Sequence, residues 1–205
     1  MSQLPPTSQV LPSTESIKAY LSETLSPKRV EHVLRVADTA RGLALKHHLD
    51  PDRAYVAALL HDVARETPGP QLLAEFKRRG LPLLAIDEVN PVPRLHGRLG
   101  AIWAEERFGI RDPEILEAIA NHTLGRVGMS PLEMVVFLAD YGEPGRDDHP
   151  GLAEARAASE TDLALATRIA MDYTIRYLVD KRRSLHPQVI DARNWILTRA
   201  GDDRA

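Results

Sequence analysis

The chain has 205 residues, of which 43% are hydrophobic and 5% aromatic, and it carries a formal net charge of −3. This length suits one domain with a substantial core, and the slight acidity argues against a general nucleic-acid or membrane-surface binder. Because the chain has no cysteine, disulfides, thiolate zinc sites, iron–sulfur clusters and cysteine nucleophiles are excluded, and any metal must be held by His, Asp, Glu and water.

Several segments are not expected to form long helices. Residues 1–14 are rich in Pro, Ser, Thr and Gln and are predicted to be a disordered tail. The stretches 80–94 and 143–150 contain prolines and are predicted to be loops or short irregular helices, and residues 201–205 form a frayed end. With no signal-peptide pattern and no apolar run of transmembrane length, we expect a cytoplasmic protein with one domain over residues 15–200.

Capping signals mark several helix starts along the rest of the chain. Ser26, Asp50, Asp112 and Ser130 each precede a proline, which places a capping residue before Pro at the first helical position. Glu133 adds a capping box to the last of them, and no stretch alternates cleanly enough to be a strand. The fold is therefore predicted to be all-α, with helices over 15–25, 27–48, 51–65, 70–79, 95–108, 113–122, 131–142, 161–183 and 187–199.

Three helices that should be buried bring a polar residue inward. His32 shares the edge of the apolar face of its helix, and His61 with Asp62 comes near the end of a helix that is apolar nearly all round. Asp140 follows five large apolar residues in MVVFLAD. A buried carboxylate must be neutralised, paired or bound to a cation, so these positions are candidates for a metal site.

Two further histidines follow in the chain. His96 opens a helix beside Gly97 and Gly100, and His122 ends a short amphipathic helix. Taken singly, each histidine is more often an ordinary core or edge residue than a ligand, and Asp140 is as often a helix cap. Only the order His, His-Asp, His, His, Asp favours a metal centre.

Six stretches carry this order and the residues around it. They are KRVEHVLRVADTA (28–40), AALLHDVAR (57–65), LHGRLGA (95–101), NHTLGRVGMSPLE (121–133), FLADYGEPGRD (137–147) and LHPQVIDARNWI (185–196). Together they resemble the HD-domain metal-dependent phosphohydrolases, and within them the YqeK-type symmetrical diadenosine tetraphosphatases. Arg65 is one departure, since lysine is expected to be common there, and the two cations bind phosphate differently.

The resemblance implies a helical bundle around a buried two-metal centre. One metal would be bound by His32, His61, Asp62 and Asp140, and the second by His96 and His122, with Asp62 as a bridge between them. Iron is the metal that the resemblance implies, while the nitrogen and oxygen donors also suit manganese, cobalt, nickel or zinc.

The resemblance also implies the reaction, in which a metal-activated water attacks phosphorus and cleaves diadenosine tetraphosphate into two ADP. Asp62 and Arg65 would be catalytic. Arg126 and Arg146 follow predicted ligands in glycine-containing loops, where backbone can approach phosphate. The predicted substrate contacts are these two arginines and Arg65, Thr123 and Glu143. Thr123 and Glu143 could instead support the metal ligands.

Two other functions stay open at this point. One is another nucleotide or phosphate-ester hydrolase on the same fold, because specificity depends on the pocket rather than on the ligand spacing. The other is a non-catalytic nucleotide- or metal-sensing module. The expected partner is a small nucleotide, and the oligomeric state is open, since the helix over 161–183 could form core or a homodimer face. His186 could be a structural cap or a substrate contact.

Overall fold

The computed structural model describes residues 11–199, and every regular element in this range is an α-helix, which confirms the predicted all-α class. The helices are α1 (Thr14–Thr24), α2 (Pro27–Lys46), α3 (Pro51–Leu60), α4 (Gly69–Arg78), α5 (Ala85–Val89), α6 (Pro91–Phe108), α7 (Pro113–Asn121), α8 (Pro131–Gly142), α9 (Pro150–Ser159), α10 (Leu163–Asp180) and α11 (Pro187–Arg199). Most of the predicted tail and all of the predicted frayed end lie outside the described residues.

Three of the four predicted caps form as expected. Asp50 accepts hydrogen bonds from the Asp52 and Arg53 N–H groups, Asp112 caps α7, and Ser130 completes its capping box with Glu133. The prediction for Ser26 is wrong in its partner, because its side chain makes no cap bond. Its backbone N–H and hydroxyl instead donate to Glu66, at 2.8 and 2.6 Å, which ties the start of α2 to the segment after α3.

The helices depart most from the prediction at three places. Helix α3 ends at Leu60, and the next residues form tighter turns with bonds between residues three apart, such as Arg65 to Asp62. Helix α6 begins at Pro91 rather than at residue 95, because a proline costs nothing in the first helical turn, where N–H groups have no intrahelical acceptor. Helix α9 was not predicted.

Helix α3 is the centre of the fold. All of its side chains from Ala54 to Leu60 are buried, and α1, α2, α7 and α8 contact it. Its many alanines let these neighbours approach closely. Helix α6 crosses the end of this group and carries a smaller apolar cluster against α4, built from Leu72, Phe76, Leu95 and Leu99.

Between residues 11 and 199, no helix combines the length and the apolar character needed to cross a membrane.

Gly97 is required where α6 meets the end of α7. A Cβ atom there would lie 2.8 and 2.9 Å from the carbonyl oxygens of Ala120 and Ile119, and 3.1 Å from a ring carbon of His122. We expect Gly97→Ala to lower the free energy of unfolding by about 1–3 kcal/mol, as overpacking does. The measurement is urea denaturation in the presence of a metal chelator, so that metal binding does not contribute.

Gly42 provides the matched control for this substitution, because a Cβ there, also within a helix, meets nothing within 4 Å. Gly42→Ala should raise the free energy of unfolding by about 0.5–1 kcal/mol through helix propensity. Equal effects at the two sites would show that the α6–α7 contact is not tight.

Candidate metal centre

The six predicted ligands come together at one place in the bundle. His32 lies in the second turn of α2, His61 and Asp62 directly follow α3, and His96 lies in α6. His122 directly follows α7, and Asp140 lies in the last turn of α8. The four histidines and Asp62 are buried, whereas the Asp140 side chain keeps 22% of its exposure and opens the site to solvent.

One group of ligand atoms surrounds the Oδ2 atom of Asp62. The Nε2 atoms of His32 and His61 lie 3.8 and 3.5 Å from this oxygen. The same two nitrogens lie 3.1 and 3.9 Å from Oδ1 of Asp140. Two imidazole nitrogens and two carboxylates therefore face a common point.

A second group surrounds the other oxygen of the same carboxylate. The Nε2 atoms of His96 and His122 lie 3.0 and 3.8 Å from Oδ1 of Asp62, and 3.0 Å from each other. Asp62 therefore faces one group with each oxygen, as a bridging carboxylate would.

Hydrogen bonds to the Nδ1 atoms, on the side of each ring away from the centre, fix the protonation of the four rings. The Nδ1 atoms of His61, His96 and His122 lie 2.6–2.7 Å from the backbone carbonyls of Ala58, Val92 and Ile119. Because a carbonyl can only accept a hydrogen bond, each Nδ1 must carry the proton. The Nδ1 atom of His32 likewise faces Glu143, at 3.2 Å. In the neutral rings, the four Nε2 lone pairs point toward the centre, and that of His122 also lies within hydrogen-bonding distance of the Thr123 hydroxyl.

This arrangement fits a bound cation. The Nε2 atoms of His32 and His61 are buried without a hydrogen-bond partner. The Nε2 lone pairs of His96 and His122 face each other at 3.0 Å and repel. Groups of three ligand atoms, such as those of His32, His61 and Asp140, lie within 4.8 Å of one another. Imidazole nitrogens and carboxylates are donors that divalent metals prefer, so these residues can hold metal.

The charges of Asp62 and His122 at neutral pH also favour a bound cation. Burial opposes the negative charge of Asp62, but His61 and His96 outweigh it and hold the pKa of Asp62 well below its usual value. Burial, with the neighbouring His96 and His61, lowers the pKa of His122 to about 3. At neutral pH the Asp62 carboxylate is therefore charged and the His122 ring is neutral, which are the forms that bind metal. Burial lowers the pKa of His61, but the neighbouring Asp62 carboxylate outweighs it and raises that pKa, so metal binding would release a proton from this ring.

Glu143 contacts the predicted ligand His32 rather than facing open solvent. Besides His32, its carboxylate accepts hydrogen bonds from Arg35 Nε at 2.6 Å and from the Gly145 N–H at 2.5 Å. Burial raises the pKa of Glu143, but these hydrogen bonds outweigh it and lower the pKa to about 2. A charged Glu143 orients the His32 ring and strengthens it as a donor.

Arg29 is a functional candidate that the sequence analysis missed. Its Nη1 donates to Oδ2 of Asp62 at 2.8 Å. The predicted Arg65 is more distant, with Nε 4.0 Å from Oδ1 of the same carboxylate. Arg29 lies three residues before His32, one helical turn away, and this spacing is the signal that could have identified it.

The other predicted substrate contacts divide into two sets. Thr123 Oγ1 lies 3.1 Å from His122 Nε2, and Arg146 binds the carboxylate and the carbonyl of Asp140. Arg126 is not brought to the centre, because its guanidinium pairs with both oxygens of Glu133 and with Glu117.

His186 lies apart from the ligands, in a buried pair with Asp87. Its Nε2 is 3.2 Å from Asp87 Oδ1, and its Nδ1 accepts a hydrogen bond from the Gln188 N–H at 3.1 Å. This second contact caps the start of α11, so the structure favours the structural cap over the substrate contact.

Two cavities flank the centre. On the His32 side is a cavity of about 520 Å³, here called the cationic cleft, with a lining that includes Lys28, Arg29, His32, Arg35, Glu66 and Arg146. On the His122 side is a cavity of about 370 Å³, here called the aromatic cavity, with a lining that includes His122, Thr123, Phe137, Tyr141, His149 and Thr174. Arg146 and Asp147 line both.

Comparisons with known proteins agree with this geometry. The model of the HD domain family matches residues 29–145, a range that contains all six predicted ligands. The symmetrical bis(5'-nucleosyl)-tetraphosphatase of Bacillus subtilis is 34% identical over 90% of this chain and 97% of its own. The enzyme of the same name from Staphylococcus aureus is 33% identical over 88% of this chain and 93% of its own.

A solved structure extends the likeness to the fold. A Clostridium acetobutylicum protein, described as a predicted HD superfamily hydrolase involved in NAD metabolism, is 39% identical with a TM-score of 0.87. The match covers 93% of this chain and all of that one. The chain therefore belongs to the HD domain family, in the group of the symmetrical bis(5'-nucleosyl)-tetraphosphatases.

Proposed function

We propose that this protein is a metal-dependent hydrolase that cleaves diadenosine tetraphosphate into two ADP. The observation that carries the proposal is the arrangement of four Nε2 lone pairs around the two oxygens of Asp62, in a chain that is similar to enzymes of that name. The reaction adds one water across the central phosphoanhydride, so that one central phosphorus gains an oxygen and the bridging oxygen leaves with the second ADP.

The proposed ligand sets follow the two groups of atoms. One metal would be bound by His32, His61, Asp62 and Asp140, and the other by His96, His122 and Asp62. When bound, divalent ions supply a nucleophilic water at neutral pH and positive charge for the phosphate oxygens. The family resemblance favours iron, and the donor set also suits manganese, cobalt, nickel or zinc.

Other side chains position the substrate and the metal ligands. Arg29 holds the bridging carboxylate and lines the cationic cleft, where its charge can meet phosphate oxygens. We assign Arg65, Thr123 and Arg146 to substrate phosphates, because each lies beside a ligand. We assign Glu143 to the orientation of His32 and Arg126 to the α7–α8 connection, since their partners are protein groups.

Product analysis of the Asp62→Asn variant tests the function directly. Diadenosine tetraphosphate is incubated with iron- or manganese-loaded protein, and the nucleotides are separated by chromatography. We expect ADP as the only product of the wild type. The variant should lose activity and metal, because the amide removes the bridging charge, and its metal content is measured by mass spectrometry.

The control is Asp87→Asn, another buried carboxylate beside a histidine but away from the ligands. It should retain both metal and activity. ATP plus AMP from the wild type would contradict symmetrical cleavage, and full activity of Asp62→Asn would contradict the metal centre.

Glu143→Gln tests the support of His32. The amide keeps the size of the side chain but removes the charge that orients the imidazole, so metal affinity should fall by about 10–100-fold. The measurement is metal titration followed by activity, and excess metal should restore most of the rate. A loss of activity that excess metal leaves unchanged would instead indicate that Glu143 acts on the substrate.

Arg29→Ala tests the residue that binds Asp62 from the cleft. We expect kcat to fall by about 100-fold, as for removal of one preorganised donor to a reacting phosphate or carbonyl. Arg29→Lys should restore only part of this loss, because a lysine lacks the planar fork.

Arg41→Ala is the matched control in the same helix, since Arg41 pairs with the exposed Asp52. It should leave kcat unchanged. An unchanged kcat in Arg29→Ala would remove Arg29 from the proposed machinery.

A further inference from the structure

The two cavities beside the metal centre differ in chemistry, although the proposed substrate has two identical ends. The cationic cleft adjoins His32, a member of the first ligand group, and the aromatic cavity adjoins His122 of the second group and Asp140 of the first. A chain of phosphates that crosses the centre therefore enters a different environment on each side. Arg146, which lines both cavities and binds Asp140, lies where they meet.

The aromatic cavity has the rings that a nucleotide base needs. The Tyr141 and His149 rings meet edge to face, with centroids 5.5 Å apart and planes at 83°. Tyr173 lies behind His149 at 6.4 Å. The Tyr173 ring fits there only because residue 151 is glycine, since a Cβ at Gly151 would lie 2.1 Å from a Tyr173 ring carbon. Planar rings of this kind are platforms for stacking of a base.

The same cavity also offers polar groups with free capacity. Tyr141 lines the cavity with its ring, and among the described residues its hydroxyl has no hydrogen-bond partner but is closed off from solvent, so a base reaches it only after the side chain shifts. The Thr174 hydroxyl donates its proton to the Ala170 carbonyl at 2.8 Å, so its oxygen retains lone pairs. A purine with its ring nitrogens and a ribose with its hydroxyls can use both a donor and an acceptor.

The cationic cleft has the opposite character. Within residues 11–199, its lining has four cationic side chains and three carboxylates, which are those of Lys28, Arg29, Arg35 and Arg146 and of Glu66, Glu143 and Asp147. Arg35 pairs with Glu143 and Arg29 with Asp62, which leaves Lys28 as the cation that substrate phosphates meet first. His32 is the only ring among the lining residues in the described part of the chain. The His32 ring faces the metal centre through Nε2 and Glu143 through Nδ1. The cleft therefore suits phosphate oxygens and offers no stacking surface for a base.

We propose that the enzyme recognises only one nucleoside of its substrate, which it binds by the base in the aromatic cavity, and that it holds the other half by phosphates alone in the cationic cleft. The proposal rests on the proposed function and defines its substrate class. A nucleoside 5'-tetraphosphate with one nucleoside should then be a substrate. Water adds to one central phosphorus of adenosine 5'-tetraphosphate, the central bridging P–O bond breaks, and the products are ADP and pyrophosphate.

The first test compares adenosine 5'-tetraphosphate with diadenosine tetraphosphate on the metal-loaded enzyme. We expect ADP and pyrophosphate as products, with kcat/KM within about tenfold of the value for the dinucleotide. A value lower by more than about 100-fold, or cleavage to ATP and phosphate, would overturn the one-nucleoside proposal. If neither compound is hydrolysed, the proposed function fails, and the binding test below still decides the role of the cavity.

The second test measures binding of ADP and of pyrophosphate by calorimetry and needs no turnover. His149→Ala should weaken ADP binding by about tenfold, the effect of losing one stacking ring, and leave pyrophosphate binding unchanged. Tyr141→Phe, which removes only the unpartnered hydroxyl, should weaken ADP binding by a smaller factor and again spare pyrophosphate.

Tyr177→Ala is the matched control, because Tyr177 is an exposed aromatic residue one helical turn beyond Thr174 and outside the cavity lining. It should bind both ligands as the wild type does. Unchanged ADP binding in His149→Ala, or an equal loss of ADP and pyrophosphate binding, would overturn the base assignment.

Discussion

The constraint on which the rest of the structure depends is the electrostatic balance of one buried point, where two carboxylates and four imidazole nitrogens meet. The lone pairs of His96 and His122 face each other across 3.0 Å, an arrangement that a neutral set of rings cannot maintain without cost. A bound cation would resolve it, because each nitrogen and oxygen would then contact positive charge instead of another electron-pair donor. The bundle holds this set in place from several sides, so the ligands do not separate to relieve their repulsion.

The ends of helices supply most of that support. The last carbonyls of a helix have no intrahelical donor, and His61 and His122 lie directly after α3 and α7. Their Nδ1 atoms take up carbonyls three residues earlier, at Ala58 and Ile119. The same contact fixes the tautomer of each ring and turns its Nε2 atom toward the centre of the site. Only His32 needs a side chain, Glu143, for the same purpose.

The sequence predicted which His and Asp residues cluster better than it predicted their surroundings, for a physical reason. A His or Asp that continues an apolar face is visible in one helix alone, so His32, His61, Asp62 and Asp140 could be identified without knowledge of packing. Contacts between helices are not visible in this way. The hydrogen bond from Arg29 to Asp62 depends on how α2 lies against the end of α3. Arg126 was predicted to contact substrate because it lies in a glycine-containing loop, but in the folded chain it pairs with Glu133. Helix α9 was missed because its proline start and alanine-rich body carry no strong apolar stripe.

The segment between α8 and α9 links the metal centre to the choice of substrate. The ligands come from the helices and the turns that follow them, whereas Gly145, Arg146, Asp147 and His149 all lie on this one connection and line one or both cavities. Arg146 also binds Asp140, and the backbone of Gly145 holds Glu143. A substitution in this connection that changes which substrate binds would therefore also affect Asp140 and Glu143. For this reason we expect the cationic cleft and the aromatic cavity to change together rather than independently, since the same few residues hold both to the centre.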